Sequence, residues 1–133
     1  MSIKIIYPSV DKIIEYNLLV LNIIKVKKAD KAKVLSIKHI YDVIEECEEI
    51  KGDIYDKAII LLKGLIKKHP FASGNRRTAF IATKYFVLTN KAKFRIKDEP
   101  QYARVMQGIR EDYYSKEEIK EWIKNGKIRE FKR

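Results

Sequence analysis

Apolar residues recur along this chain at helical spacing and stop at a few sharp points. A first helix is expected from a Ser9 or Asp11 cap to about Ile24, with Val10, Ile13, Ile14, Asn17, Leu18 and Leu21 on one face. A second runs from about Ser36 to Ile50 on Ile37, Ile40, Tyr41, Ile44 and Cys47, and Gly52 breaks it. The third, Ile54 to about Lys68, carries Ala58, Ile59, Leu61, Leu62, Leu65 and Ile66, a stripe wide enough to predict a central, buried helix. The fourth, about Arg76 to Thr89, is similar, with Ala79, Phe80, Ala82, Phe86 and Leu88. Asp98 and Pro100 open a fifth at 101–110, and Ser115 with Glu118 makes a capping box for a sixth, through Lys124, that ends at Gly126.

Two stretches alternate with period two instead. Residues 91–97 place Lys91, Lys93, Arg95 and Lys97 against Ala92, Phe94 and Ile96, the clearest strand pattern in the chain. Ile3, Ile5 and Tyr7 make a shorter one, and the two are expected to pair. The Lys-rich stretch 26–33 reads as a loop, and the basic tail 127–133 as an end that frays. The sum is a mostly α, compact bundle of about six helices with a minor β element, in one domain spanning 1–133.

Composition narrows the function classes. Charged residues interrupt every apolar run before membrane-spanning length, and the first ten residues lack the apolar core of a signal peptide, so a soluble, cytoplasmic protein is expected. The single cysteine, Cys47, has no internal disulfide partner and falls on an apolar helix face, the place of an inert buried thiol. Net charge is +11, unevenly spread: the stretch 42–56 holds seven acids against Lys51 alone, −6, which leaves +17 on the rest. Such a surface favours acidic partners or nucleic acid. The basic residues are scattered over several elements with no DNA-reading helix or RNA-binding aromatic motif, so nucleic acid is not the expected primary partner.

Chemistry concentrates in 69–80, HPFASGNRRTAF, between the third and fourth helices. A loop that opens a helix presents unpaired N–H groups and the positive end of the helix dipole, an anion site before any side chain is counted. Gly74 lets the backbone turn there, and Arg76 and Arg77 add planar cationic donors suited to phosphate. His69, at the loop's other edge, has a reference pKa that suits a base near neutrality. A base beside a phosphate cradle suggests transfer of a phosphorus-bearing group. No Walker loop or dinucleotide fingerprint is present, and two histidines with one cysteine make a zinc site improbable. His39 is expected to be a packed or surface residue, and Tyr113-Tyr114 to pack the junction of the last two helices.

His69, Phe71, Gly74, Asn75 and Arg77, with Pro70 second, resemble the signature of the Fic/Doc superfamily. Arg76 stands where AMP-transferring Fic enzymes have Gly and Doc proteins Lys, and Phe80 where the former have a second Arg, so the chain looks like the Doc (death-on-curing) branch. That resemblance implies a toxin of a toxin–antitoxin pair that transfers phosphate from ATP to a hydroxyl of a target protein, a translation elongation factor. It also implies a cognate antitoxin, with a homo-oligomer as an open expectation. His69 would be the general base, Gly74, Asn75, Arg76 and Arg77 would hold phosphate oxygens, and Phe71 would anchor the loop. The resemblance also implies Mg²⁺ bridging the nucleotide phosphates, with Ser73, a weak neutral ligand, at the position where the pattern has the acid that holds it. The alternatives are AMP transfer of the Fic type or, because Ser73 replaces the metal-binding acid, a catalytically silent module that binds a nucleotide or a protein. The target-docking edge that Doc relatives carry ahead of the motif is expected to be reduced to the turn 51–53 or displaced.

Overall fold

The computed structural model describes residues 4–24 and 33–132. Six helices follow in order among them: α1 (Val10–Ile24), α2 (Ile37–Glu49), α3 (Ile54–Lys68), α4 (Asn75–Thr89), α5 (Gln101–Arg110) and α6 (Lys116–Asn125). α3 is the central rod and packs against α2, α4, α5 and α6, while α1 closes over α4 and α2. Its wide apolar stripe explains this: Ala58, Leu61, Leu62 and Leu65 are all at most 1% exposed. The fold is thus the expected helical bundle. Its β content, among the described residues, is one isolated antiparallel bridge, Val34 to Phe71.

Neither expected strand forms among the described residues, for an identifiable reason. Tyr55 on α3 donates its hydroxyl to the Lys93 carbonyl (2.8 Å) and accepts from the Lys93 N–H (3.0 Å). The Arg95 N–H then donates to the Ile123 carbonyl of α6 at 2.8 Å. Residues 91–97 keep their alternating exposure, but α3 and α6 take backbone bonds that a strand would have given to a neighbour. At the other end, the Asn90 side chain clamps Ile6, accepting from its N–H (2.8 Å) and donating to its carbonyl (2.9 Å). One amide does the work of a paired strand. Ile3 and the loop 26–32 lie outside the described residues.

Other expectations shift with packing. Leu18, Ile37, Tyr41 and Leu88, placed on inner faces by spacing, are 45–59% exposed. The tail does not fray: Phe131 is buried against Tyr113, and Arg129 pairs with Glu118 and stacks over Tyr113. Tyr113 and Tyr114 pack edge to face at the α5–α6 junction. Cys47 is fully buried and burial pushes its thiol up to about 12, so it stays protonated and inert.

The end of α2 carries Glu48 and Glu49, the wrong sign for a helix C-terminus, and no basic residue of its own in the last turn. Lys57 of α3 supplies the missing cation. Its ammonium, on a side chain 6% exposed, donates to the carbonyls of Cys47 (3.1 Å), Glu48 (3.2 Å) and Ile50 (2.7 Å). Lys57→Met keeps most of the volume and leaves those carbonyls without the ammonium. It is expected to lower stability by about 2–4 kcal/mol, read from the urea midpoint.

The Glu118 carboxyl is held down to about 2, first by its hydrogen bond with Arg129 and then by the Ser115 N–H of the capping box. A carboxyl depressed on folding stabilises above its ordinary value and loses that effect as pH falls towards the depressed one. The melting-temperature gap between wild type and Glu118→Gln is therefore expected to be constant above about pH 5 and to close between about pH 4.5 and 2.

Candidate active site

The 69–80 stretch forms the turn from α3 to α4. His69 ends α3 in the left-handed region (φ 51°, ψ 55°). Lys91 and Asp112 also take that conformation after helices, but His69 alone of the three precedes a proline, which further restricts its backbone. A residue held this way is over-determined by its surroundings. Pro70 and Phe71 then go inward, Phe71 with no exposure at all, and the His69 side chain stays at the surface.

Three devices fix the loop. Asn75, buried, accepts from the Phe71 N–H (3.0 Å) and donates to the Phe71 carbonyl (2.8 Å), closing the turn on itself. Residues 33–36 lie along its flank: the Pro70 carbonyl accepts from Leu35 (2.8 Å) and Ser36 (3.2 Å), and the Ala72 N–H donates to Lys33 (2.9 Å). From behind, Asn17 of α1, 2% exposed, donates to the Ser73 carbonyl (2.9 Å) and to the Thr78 hydroxyl (3.1 Å). The segment paired with the loop is thus 33–36, ahead of α2, and not the turn 51–53, whose Asp53 caps α3 and pairs with Lys120.

Gly74 is the N-cap of α4 at φ 78°. A Cβ there would lie 3.2–3.4 Å from Asn17, Leu21 and Val20, so both backbone angle and space call for glycine. The α2, α3 and α6 N-termini each receive a side-chain cap; α4, like α5, receives none and has no acid in its first turn. Its first intrahelical bond is from Thr78 N–H to the Gly74 carbonyl, so the amides of Asn75, Arg76 and Arg77 have no helical partner. That uncapped, uncompensated end is an anion site made by the backbone.

Arg76 is exposed at this end. Arg77 is tethered: it donates to the Tyr102 hydroxyl at 2.8 Å, lies 5.7 Å from the centre of the Tyr102 ring, and faces Asp98 at 3.6 Å. Tyr102 in turn packs on Phe80 at 4.7 Å between centroids, which makes the Phe80 position part of the core. Burial raises the Tyr102 hydroxyl above its ordinary value, against the lowering pull of Arg77, so it remains a neutral hydrogen-bonding partner near neutral pH.

The structure therefore brings His69, Ser73, Gly74, Asn75, Arg76 and Arg77 onto one turn. The Asn75 amide is committed to Phe71, which makes shaping the turn its visible role. Asn17, Tyr102 and Asp98 were not assigned a site role from sequence. The signal for Asn17 was an amide on an otherwise apolar face; Tyr102 and Asp98 gave none, because they approach Arg77 only through the fold. His39 is partly buried on α2, and its ring Nδ1 has no hydrogen-bond partner among the described residues.

The donor set suits a magnesium ion poorly. Ser73 offers a neutral hydroxyl, and no group of three or more His, Cys, Asp or Glu fit to hold a metal occurs among the described residues.

The model of the Fic/DOC family matches residues 24–87, a span from the last residue of α1 through most of α4 that holds the whole motif. This match supports the Fic/Doc superfamily, and the helical bundle is consistent with a Fic/Doc-like fold. Members of that family are typically transferases. No curated protein matches the chain. No helix among the described residues is long and apolar enough to cross a membrane.

Asn17→Ala leaves the Ser73 carbonyl and the Thr78 hydroxyl without this partner. The expected result is a loss of about 1–3 kcal/mol, with faster amide exchange at 72–75 than in the rest of the chain. Equal protection across the loop and the bundle would contradict the role given to Asn17.

Proposed function

We propose that this chain is a Doc-like transferase that moves a phosphate from ATP to a hydroxyl group of a target protein. The observation that supports this best is the uncapped α4 N-terminus carrying Arg76 and Arg77, on a loop that His69 opens. In the reaction, His69 accepts the proton of the target hydroxyl as its oxygen attacks the γ-phosphorus. A new P–O bond forms on the target, the bond to the bridging oxygen breaks, and ADP leaves with that electron pair. A base in this role contributes about 10²–10⁴-fold. The α4 amides and the two arginines neutralise charge on the transferring group, which is most of what phosphoryl transfer asks of a protein. No step is routed through a metal, given Ser73. By resemblance the target is a translation elongation factor in the cytoplasm, and a cognate antitoxin controls the activity from outside the chain.

One observation favours a second reading. Ser73 in place of an acid supports a silent module that binds a nucleotide or a protein without transfer. Incubation with a translation extract and ATP labelled at the α or γ phosphorus separates the readings. Label on protein from the γ position, reduced by at least about 100-fold in His69→Ala, is the expected result. Label from the α position points to AMP transfer. No label with nucleotide binding intact contradicts the enzyme reading.

A further inference from the structure

One short run of the chain's cations leads to a cavity. Lys91, Lys93, Arg95 and Lys97 all point outward from the segment that Tyr55 and α6 hold, and none of them makes an ion pair among the described residues. Alternate residues of an extended chain lie roughly 6.5 Å apart, so Lys93, Arg95 and Lys97 form a regular row of charge, with Lys91 at its start in the left-handed turn after α4. The row ends at a cavity of about 230 Å³ between α5, α6 and the C-terminal tail, and Lys97 lines both. Arg95 adjoins it as well: its carbonyl oxygen is 2.7 Å from where a Cβ on Gly126, a lining residue, would sit.

Three of the cavity's twelve lining residues are aromatic. Tyr102, Trp122 and Phe131 line it, each at most 7% exposed, and Arg104 stands 5.7 Å from the centre of the Phe131 ring. The volume falls below the ~300–1,000 Å³ of a site for a drug-sized ligand and suits a single ring system. Two carboxylates, Glu99 and Glu130, also line it, and can accept from the N–H groups on a base edge. Cations tracking a backbone next to an aromatic slot are the parts of a single-strand site; paired bases could not reach such a slot.

From this we infer that the face formed by residues 91–97 and the α5–α6 cavity binds single-stranded nucleic acid, with phosphates along the cation row and one base in the cavity. This surface is independent of the transferase reading. The chain has a single tryptophan, Trp122, so its emission reports the cavity directly. A fluorescein-labelled cytidine dodecamer is expected to bind with a log–log salt slope near −2.8, about 0.7 for each of four phosphates, and to quench Trp122. The quadruple variant Lys91→Gln, Lys93→Gln, Arg95→Gln, Lys97→Gln should weaken binding by about tenfold or more and flatten the slope. A variant of the same net charge, with Lys4, Lys12, Lys38 and Lys51 changed to Gln, should stay within about twofold. Equal loss in both variants would reduce the binding to net charge and overturn the proposal. Base-free polyphosphate binding as tightly, with Trp122 silent to both ligands, would overturn it too. Quenching by cytidine monophosphate with no gain from chain length would assign the cavity to a free nucleotide instead.

Discussion

The structure depends on how one turn of backbone is satisfied. Between α3 and α4 the chain turns with its peptide groups out of reach of helical bonds, while Pro70 and Phe71 go inward, and buried peptide groups need partners. They find them in three places: the Asn75 amide around Phe71, the flanking segment 33–36 along Pro70 and Ala72, and Asn17 behind Ser73. Inward-facing groups are accounted for by this set. The first-turn amides of α4 are left open, and Gly74 turns the chain at that point without a capping side chain. An anion site results from where the hydrogen bonds run out.

Rigidity follows from the same arrangement. Phe71 ties the turn to the core, and α3 and α4 on either side are the most buried helices of the bundle, so the site sits on a stiff mount. Arg77 is oriented by Tyr102, itself braced on Phe80, which leaves one cation fixed in direction and Arg76 free in solvent. Asp98 is a weaker partner for Arg77: at 3.6 Å and more than half exposed, it is well screened by water. An incoming phosphate meets a cradle whose charge is only partly answered from within the chain.

Much of this was legible in the sequence, and the rest was not for physical reasons. Helix positions followed from apolar spacing and from caps at Ser9, Ser115 and Gly126, because those signals are local. The motif residues were legible because they are contiguous. Among the described residues, 4–7 and 91–97 form no strand because period two reports alternating exposure, and Tyr55, Asn90 and α6 can produce that without a ladder. Tyr102 and Asp98 reach Arg77 across 25 and 21 positions of sequence, and Asn17 reaches the loop from 56 away, contacts that no local pattern encodes. The docked tail was lost the same way: charge suggested fraying, while Phe131 and the Glu118–Arg129 pair hold it down.

The central claim is that the open end of α4 is a ready-made phosphate site. Its most direct test is a two-dimensional ¹H–¹⁵N titration of the full chain with inorganic tripolyphosphate, which has neither base nor sugar. The account predicts saturable shifts concentrated at the amides of Asn75, Arg76 and Arg77 and at the Arg77 side chain, with the Asn75 side-chain amide unmoved. Shifts spread evenly over the lysine-rich surface, with that turn silent, would contradict it.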